Sequence, residues 1–145
     1  MITYRVMEEG DIDRVVPFYM EYYNTHDGDG WTHETTYRRI HQVWSREDSY
    51  CLLMEEDGAP IGFAMGYLEQ FHDISAYDLA EIVVDGRYQG RGLGTQLMAE
   101  LERRVKKLGA SMVQLLAVND EMHRHFYGKL GYKDAVNLVI KGKWL

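Results

Sequence analysis

Residues 79–95 read Leu-Ala-Glu-Ile-Val-Val-Asp-Gly-Arg-Tyr-Gln-Gly-Arg-Gly-Leu-Gly-Thr, an apolar run that turns through glycines into a helical pattern. Gly90, Gly92 and Gly94 leave the backbone bare where that helix begins. The first amides of a helix lack internal partners and sit at the positive end of its dipole, so an anion, most naturally a phosphate, can dock on them. A carboxylate, Glu81, stands in the apolar run just before the glycines, and a tyrosine, Tyr127, follows in a second helical pattern downstream. The chemistry that the glycines themselves suggest is an anion cradle at the start of a helix.

Elements must hold these groups. Ala80 to Val84 is too short and too β-branched for a helix and reads as a buried strand, with Asp85 to Tyr88 as the turn. Leu93, Leu97, Met98, Leu101, Val105 and Leu108 then fall on one helical face. Ser111 to Val118 is a second buried strand, after which Asn119 is expected to cap a helix with Met122, Phe126 and Leu130 on its core stripe and Gly131 at its end. Tyr127 is turned by about 100° from that stripe, one helical step, which frees its hydroxyl to point elsewhere.

The glycines admit three readings. A dinucleotide fingerprint needs glycines at offsets 0, 2 and 5, but the fifth position after Gly90 is Thr95, and no acidic residue between Ser111 and Asn119 can hold a ribose. A P-loop needs Gly-Lys-Ser/Thr, and Gly94 is followed directly by Thr95. What remains is Gln-x-x-Gly-x-Gly at Gln89, Gly92 and Gly94 after a strand. This resembles the pyrophosphate-binding motif of the GNAT superfamily of acyl-CoA-dependent N-acyltransferases. The second stretch, Asn119, Phe126, Tyr127, Leu130, Gly131 and Tyr132, is similar to the last part of that family's cofactor site. The structural alternative is a strand-to-helix turn that binds nothing.

The resemblance implies acetyl-CoA as cofactor, held by the backbone of Ile82, Val83 and Val84, by Gln89, Gly90, Arg91, Gly92, Leu93, Gly94 and Thr95, and by Asn119, Tyr127 and Lys129. It also implies that the Val84 amide faces the acetyl carbonyl and that Tyr127 protonates the departing sulfur. An alkyl amine with a pKa of about 10.4 is mostly protonated near neutrality, so something must remove a proton. Glu81, three residues before Val84, is the expected base, and Glu69 is the runner-up or an ammonium anchor. Tyr23 and Trp31 are expected in the acceptor wall. The expected function is acetyl transfer to a primary amine of a small cationic molecule, with a peptide or protein amine and a non-catalytic acyl-CoA-binding module as alternatives.

Composition bounds the rest. The 145 residues suit a single domain spanning 1–145. The fold implied is mixed α/β: a mostly antiparallel sheet with two parallel, splayed central strands, flanked by helices. Strands are expected at Ile2–Met7, Ser49–Glu55, Pro60–Glu69 and within Ala135–Ile140. Further helices are expected from Ile12 to about Tyr23, capped by Asp11 and bent at Pro17, and after Trp31 through about Trp44. Cys51 is the sole cysteine, which points to a reducing, cytoplasmic setting and, inside a strand run, to core packing rather than nucleophilic work. The formal charge of −7 disfavours nucleic acid and favours cationic partners. No apolar run reaches membrane-spanning length. His123 and His125 lie about 200° apart on a helix, so no metal site is expected. A homodimer is left open.

Overall fold

The strand runs pair in chain order. In the computed structural model, which describes residues 1–145, β1 (Ile2–Val6), β2 (Ser49–Glu56), β3 (Ala59–Gln70), β4 (Ser75–Val84) and β5 (Ala110–Leu115) form one sheet in the order β1-β2-β3-β4-β5. The first three pairings are antiparallel, and β4 with β5 is parallel. Two helices, α1 (Ile12–His26) and α2 (His33–Trp44), pack on one face against Leu53, Phe63, Met65 and Val83. On the other face α3 (Leu93–Lys107) buries Leu97, Met98, Leu101 and Val105 against Leu52, Met54, Ala64 and Tyr77. Each of the Leu, Val, Phe and Met side chains among them contributes about 1.5–3 kcal/mol on burial, so these two layers hold the sheet from both sides. The short helix α4 (Glu121–Lys129) follows β5.

The fold class is as the sequence implies, with local corrections. Asp11 does not cap α1; its carboxylate is turned into a cluster with Arg5, Arg14 and the Glu8 amide instead. Pro17 lies inside α1 without ending it. The cap of α2 is Thr32, whose side chain accepts from the Thr35 amide. The cap of α4 is Asp120 rather than Asn119, accepting from the His123 amide at 2.8 Å. Carboxylate and amide caps are nearly equivalent, so sequence alone could not choose between these neighbours.

Two strand expectations change more. β5 ends at Leu115, and residues 116–118 leave the sheet. The expected final strand within Ala135–Ile140 does not form: residues 133–145 hold no strand or helix, and Val136, Leu138, Val139 and Ile140 are exposed. A β-prone run becomes a strand only when a neighbouring strand accepts its backbone hydrogen bonds, and none does so here.

Candidate active site

Glu81 owes its direction to a bulge. Strict alternation along β4 would place it on the α3 face with Tyr77 and Leu79. The pairing instead runs from Met65 opposite Glu81 to Gly66 opposite Leu79, leaving Ala80 as an extra residue. That inserted residue reverses the facing of the strand beyond it. Ile82 and Val84 pack on the α3 side, whereas Val83 joins the α1/α2 side, and Glu81 reaches Tyr19, Tyr23 and Arg39 there. Gly66 permits the bulge, because a Cβ at that position would overlap the Asp78 carbonyl.

The Glu81 carboxylate is almost fully enclosed and has three donors. Tyr19 donates to Oε2 at 2.8 Å, Tyr23 to Oε1 at 2.8 Å and Arg39 Nε to Oε2 at 3.0 Å. Of roughly four acceptor positions on a carboxylate, three are therefore taken, and the one remaining belongs to Oε1. Burial, then the charge of Glu81 itself, push both phenols far above the ordinary tyrosine value, so Tyr19 and Tyr23 stay protonated donors.

Beside this cluster the sheet opens. The parallel pairing of β4 with β5 stops at Leu79 opposite Leu115, so Ala80 to Val84 lack a neighbour on that side. The Asp85 amide donates to the Ile61 carbonyl at 2.8 Å, which makes Gly62–Val84 a non-hydrogen-bonded antiparallel pair. Val84, and by the same alternation Ile82, therefore aim their backbone N–H and C=O groups into the split rather than at β3.

Past Val84 the chain is braced before it enters α3. The buried Asp85 accepts from the Arg87 amide at 3.0 Å and from its guanidinium at 2.7 Å; burial opposes its ionisation, but these bonds hold its carboxyl below the ordinary value. Gln89 Nε2 donates back to the Val84 carbonyl at 3.0 Å, tying the loop to the strand. Gly90 and Gly92 then take φ of +81° and +73°, left-handed conformations that most side chains resist. Gly92 is the N-cap of α3 and offers no side chain, so the Leu93, Gly94 and Thr95 amides have no capping acceptor. A diphosphate fits this arrangement, because open space lies above both Gly90 and Gly92.

On the opposite bank, Phe126 of α4 and Leu130 just past its end pack on the core, while Met122, expected in the same stripe, is exposed at the cleft. Tyr127 is half-buried, with its ring edge-on to Phe126 and Tyr132. Burial first, and then the proximity of Tyr22 and Glu81, push its phenol up to about 12.

These surfaces enclose a cleft of about 530 Å³. It brings together Glu81, Ile82, Val83 and Val84 of β4, Gln89, Gly90, Gly92, Leu93, Gly94 and Thr95 of the cradle, and Tyr23, Tyr127 and Lys129. Four expected site residues lie outside its lining. Arg91 is exposed and sits over the Tyr88 ring. Asn119 is exposed and its Oδ1 accepts from Arg124 at 2.9 Å. Trp31 packs edge-on against Tyr19, a wall behind the site rather than in it. Glu69 stands opposite Ala76, and the five residues from there to Glu81 correspond to roughly 16 Å of strand. Its carboxylate meets Gln114 at 3.5 Å instead.

Sequence reasoning missed Arg39, whose pairing with Glu81 depends on how α2 crosses the sheet. It also missed His26, Asp27 and His123 in the lining. His123 had one signal, its place one helical turn before Tyr127, and Asp120 fixes its ring through Nδ1 at 2.7 Å.

A mixed sheet split between two parallel strands, with an uncapped helix at the mouth of the split, is the architecture expected of the acyl-CoA-dependent acyltransferase class. The chain belongs to the Acetyltransferase (GNAT) family, whose model matches residues 12–132. It is similar to an uncharacterized N-acetyltransferase of Methanocaldococcus jannaschii, with 27% identity over 149 aligned positions covering 99% of this chain. This chain spans 64% of that relative's length. Among solved structures, a possible acetyltransferase from Clostridium difficile 630 superposes with a TM-score of 0.86 at 12% identity, covering 100% of this chain and 99% of the other. Glucosamine-6-phosphate N-acetyltransferase from Arabidopsis thaliana superposes with a TM-score of 0.72 at 21% identity, covering 99% and 98%. At these identities the structural likenesses establish the fold.

Proposed function

We propose that this chain transfers an acetyl group from acetyl-CoA to the primary amine of a small cationic molecule by direct attack. The observation that carries this reading is the free β4 edge at Ile82 and Val84, bounded by the uncapped start of α3 at one end and Tyr127 across the cleft. Family membership supports the cofactor. The Leu93–Thr95 amides would hold its diphosphate, with Lys129 as a nearby cation, and the Ile82–Val84 edge would bond its amide-bearing arm.

When bound, acetyl-CoA supplies an activated thioester carbonyl. The Val84 N–H would donate to the oxygen of that carbonyl as negative charge develops there, at no cost of reorganisation because the strand fixes it. Glu81 would take the ammonium proton, directly or through water, at Oε1, the oxygen with only one protein donor. As the carbon–nitrogen bond forms and the carbon–sulfur bond breaks, the nitrogen would shed its second proton to water, and Tyr127 would give its proton to the departing sulfur and regain one from solvent. The cleft's acceptor end, with Asp27 and Glu81 among the aromatic rings of Tyr22 and Tyr23, favours a compact cation. A reducing compartment such as the cytoplasm fits the buried Cys51, whose thiol burial pushes up to about 12.

A panel of amines incubated with acetyl-CoA, read by release of free thiol, tests the proposal. Small polyamines or amino sugars should be consumed; turnover of peptide amines alone would replace the acceptor class, and tight coenzyme A binding without any turnover would reduce the chain to a binding module.

A further inference from the structure

His123 and Tyr127 stand one helical turn apart on α4, and both side chains line the cleft. Residues at that spacing are neighbours on a helix face, with Cβ atoms about 5–6 Å apart. His125, two positions further on, is exposed and outside the lining. The His123 ring is not free to turn. Its Nδ1 lies 2.7 Å from Asp120 Oδ1, and the same oxygen accepts from the His123 backbone N–H at 2.8 Å, so the cap of α4 also clamps the imidazole. These two bonds hold the Asp120 carboxyl below its ordinary value. An ionised carboxylate can only accept, so the proton between the two groups belongs to Nδ1. In the neutral ring Nε2 is then the lone-pair nitrogen, and it makes no hydrogen bond within the chain. The side chain is 26% exposed, which places it at the edge of the cleft, within reach of water.

An ammonium that becomes an amide sheds two protons, of which Glu81 takes the first, while Tyr127 must be refilled after protonating the sulfur. We propose that His123 joins the two remaining steps: Nε2 takes the second proton of the nitrogen as the carbon–nitrogen bond forms, and hands it to the Tyr127 phenolate once the carbon–sulfur bond has broken. Asp120 is the positioning residue of this relay. The count closes. Two protons leave the nitrogen; one passes from Glu81 to solvent, the other replaces the proton that Tyr127 gave to sulfur, and His123, Asp120 and Tyr127 finish as they began. The transfer also runs downhill, because an imidazolium, with an ordinary pKa of about 6.5, is a far stronger acid than a phenol pushed up to about 12. A bridging water can carry either step without loss of direction. The relay rests on the acyl-transfer reading of the cleft.

The groups around His123 decide what its titration would look like. Burial raises the phenols of Tyr22, Tyr23 and Tyr127, so all three stay protonated through the neutral range. Charge near the ring then comes from Asp27 at the end of α1, Glu81 of β4 and Asp120 on the acidic side, and from Arg124 and Lys129 of α4 on the basic side. His26 of α1 shares the cleft, with its Nδ1 3.0 Å from the Tyr22 carbonyl of its own helix. Replacing His123 alone therefore separates its titration from that of His26.

The test is steady-state kinetics on the full chain, with acetyl-CoA and the amine of the panel that is consumed best. His123→Gln should lower kcat about tenfold with coenzyme A affinity unchanged, and imidazole added to the buffer should restore part of the loss. The same variant should lack the rise in kcat that the wild type shows between about pH 5 and pH 8. Asp120→Asn keeps a capping side chain but removes the charge that favours imidazolium, so this rise should move to lower pH. His125→Gln should match the wild type. A wild-type kcat and pH profile in His123→Gln, or a loss that imidazole does not restore, would overturn the relay and leave acyl transfer standing. Nitrogen-15 NMR reads the dyad without turnover: at about pH 9, above the ordinary imidazole range, His123 should carry its proton on Nδ1. A proton found on Nε2 instead would equally exclude the relay. Coenzyme A binding with no turnover of any amine would remove the acyl-transfer reading, and the relay with it.

Discussion

Arg39 of α2 and Glu81 of β4 form a largely enclosed ion pair, Nε to Oε2 at 3.0 Å, that joins the candidate base to a helix 42 residues earlier in the chain. The pair divides the carboxylate. Oε2 receives Arg39 and Tyr19, leaving Oε1 with Tyr23 alone. Glu81→Gln should therefore lower turnover by roughly 10–10² near neutral pH and recover part of it at higher pH, where more of the acceptor amine is already deprotonated. A pH-rate profile of unchanged shape would remove Glu81 from proton transfer and leave it a positioning group.

Tyr127→Phe keeps the ring packing on Phe126 and Tyr132 and removes only the hydroxyl. Turnover should drop roughly 10²-fold with coenzyme A affinity little changed. With its phenol pushed up to about 12, Tyr127 remains protonated through the neutral and mildly basic range, so the wild type should lose no activity to its titration below about pH 10. Equal turnover of variant and wild type would return Tyr127 to packing.

Gly92→Asp tests the cradle. Aspartate tolerates the left-handed φ of +73° better than most residues, so the fold should survive, but its carboxylate would stand where a diphosphate docks. Coenzyme A affinity measured by calorimetry should fall at least about tenfold. Undiminished affinity in a folded variant would rule out this turn as the phosphate site.

Gly66→Ala tests the bulge. The added methyl group meets backbone, the Asp78 carbonyl, which cannot rotate away. The variant should be destabilised by roughly 1–3 kcal/mol in urea unfolding, and should lose activity beyond that because Glu81 is displaced. A variant of wild-type stability and turnover would show that the bulge does not depend on this glycine.

Asp11→Asn tests the buried cluster at the opposite end of the sheet. Hydrogen bonds from Arg5 hold the Asp11 carboxyl down at about 2, against an ordinary 3.8. A depressed carboxylate contributes stability that is fully present above its unfolded value and is lost as the pH falls through the folded one. The wild type should exceed the variant by about 2 kcal/mol at pH 7, with the gap closing between pH 4 and pH 2. A gap independent of pH would exclude ionisation as its source.

Local pattern was sufficient for much of this protein. The glycine turn, the α3 stripe from Leu93 to Val105 and the placing of Tyr127 off the core stripe are set by period, by residue type and by neighbours a few positions away, and these survive folding, whereas Leu108, expected on the same stripe, lies past the helix end and is exposed. The order and direction of strands came from resemblance rather than from spacing. What the tertiary structure alone decided is everything that depends on a partner distant in the chain. The extra residue at Ala80 reversed the facing of Glu81, because Gly66 lets two strands approach where side chains otherwise would not. Arg39 and Tyr19 became its partners because two helices cross the face onto which it was turned. Ala135–Ile140 has the composition of a strand and is not one, since a strand exists only in the hydrogen bonds it makes, and this run pairs with no strand of its chain.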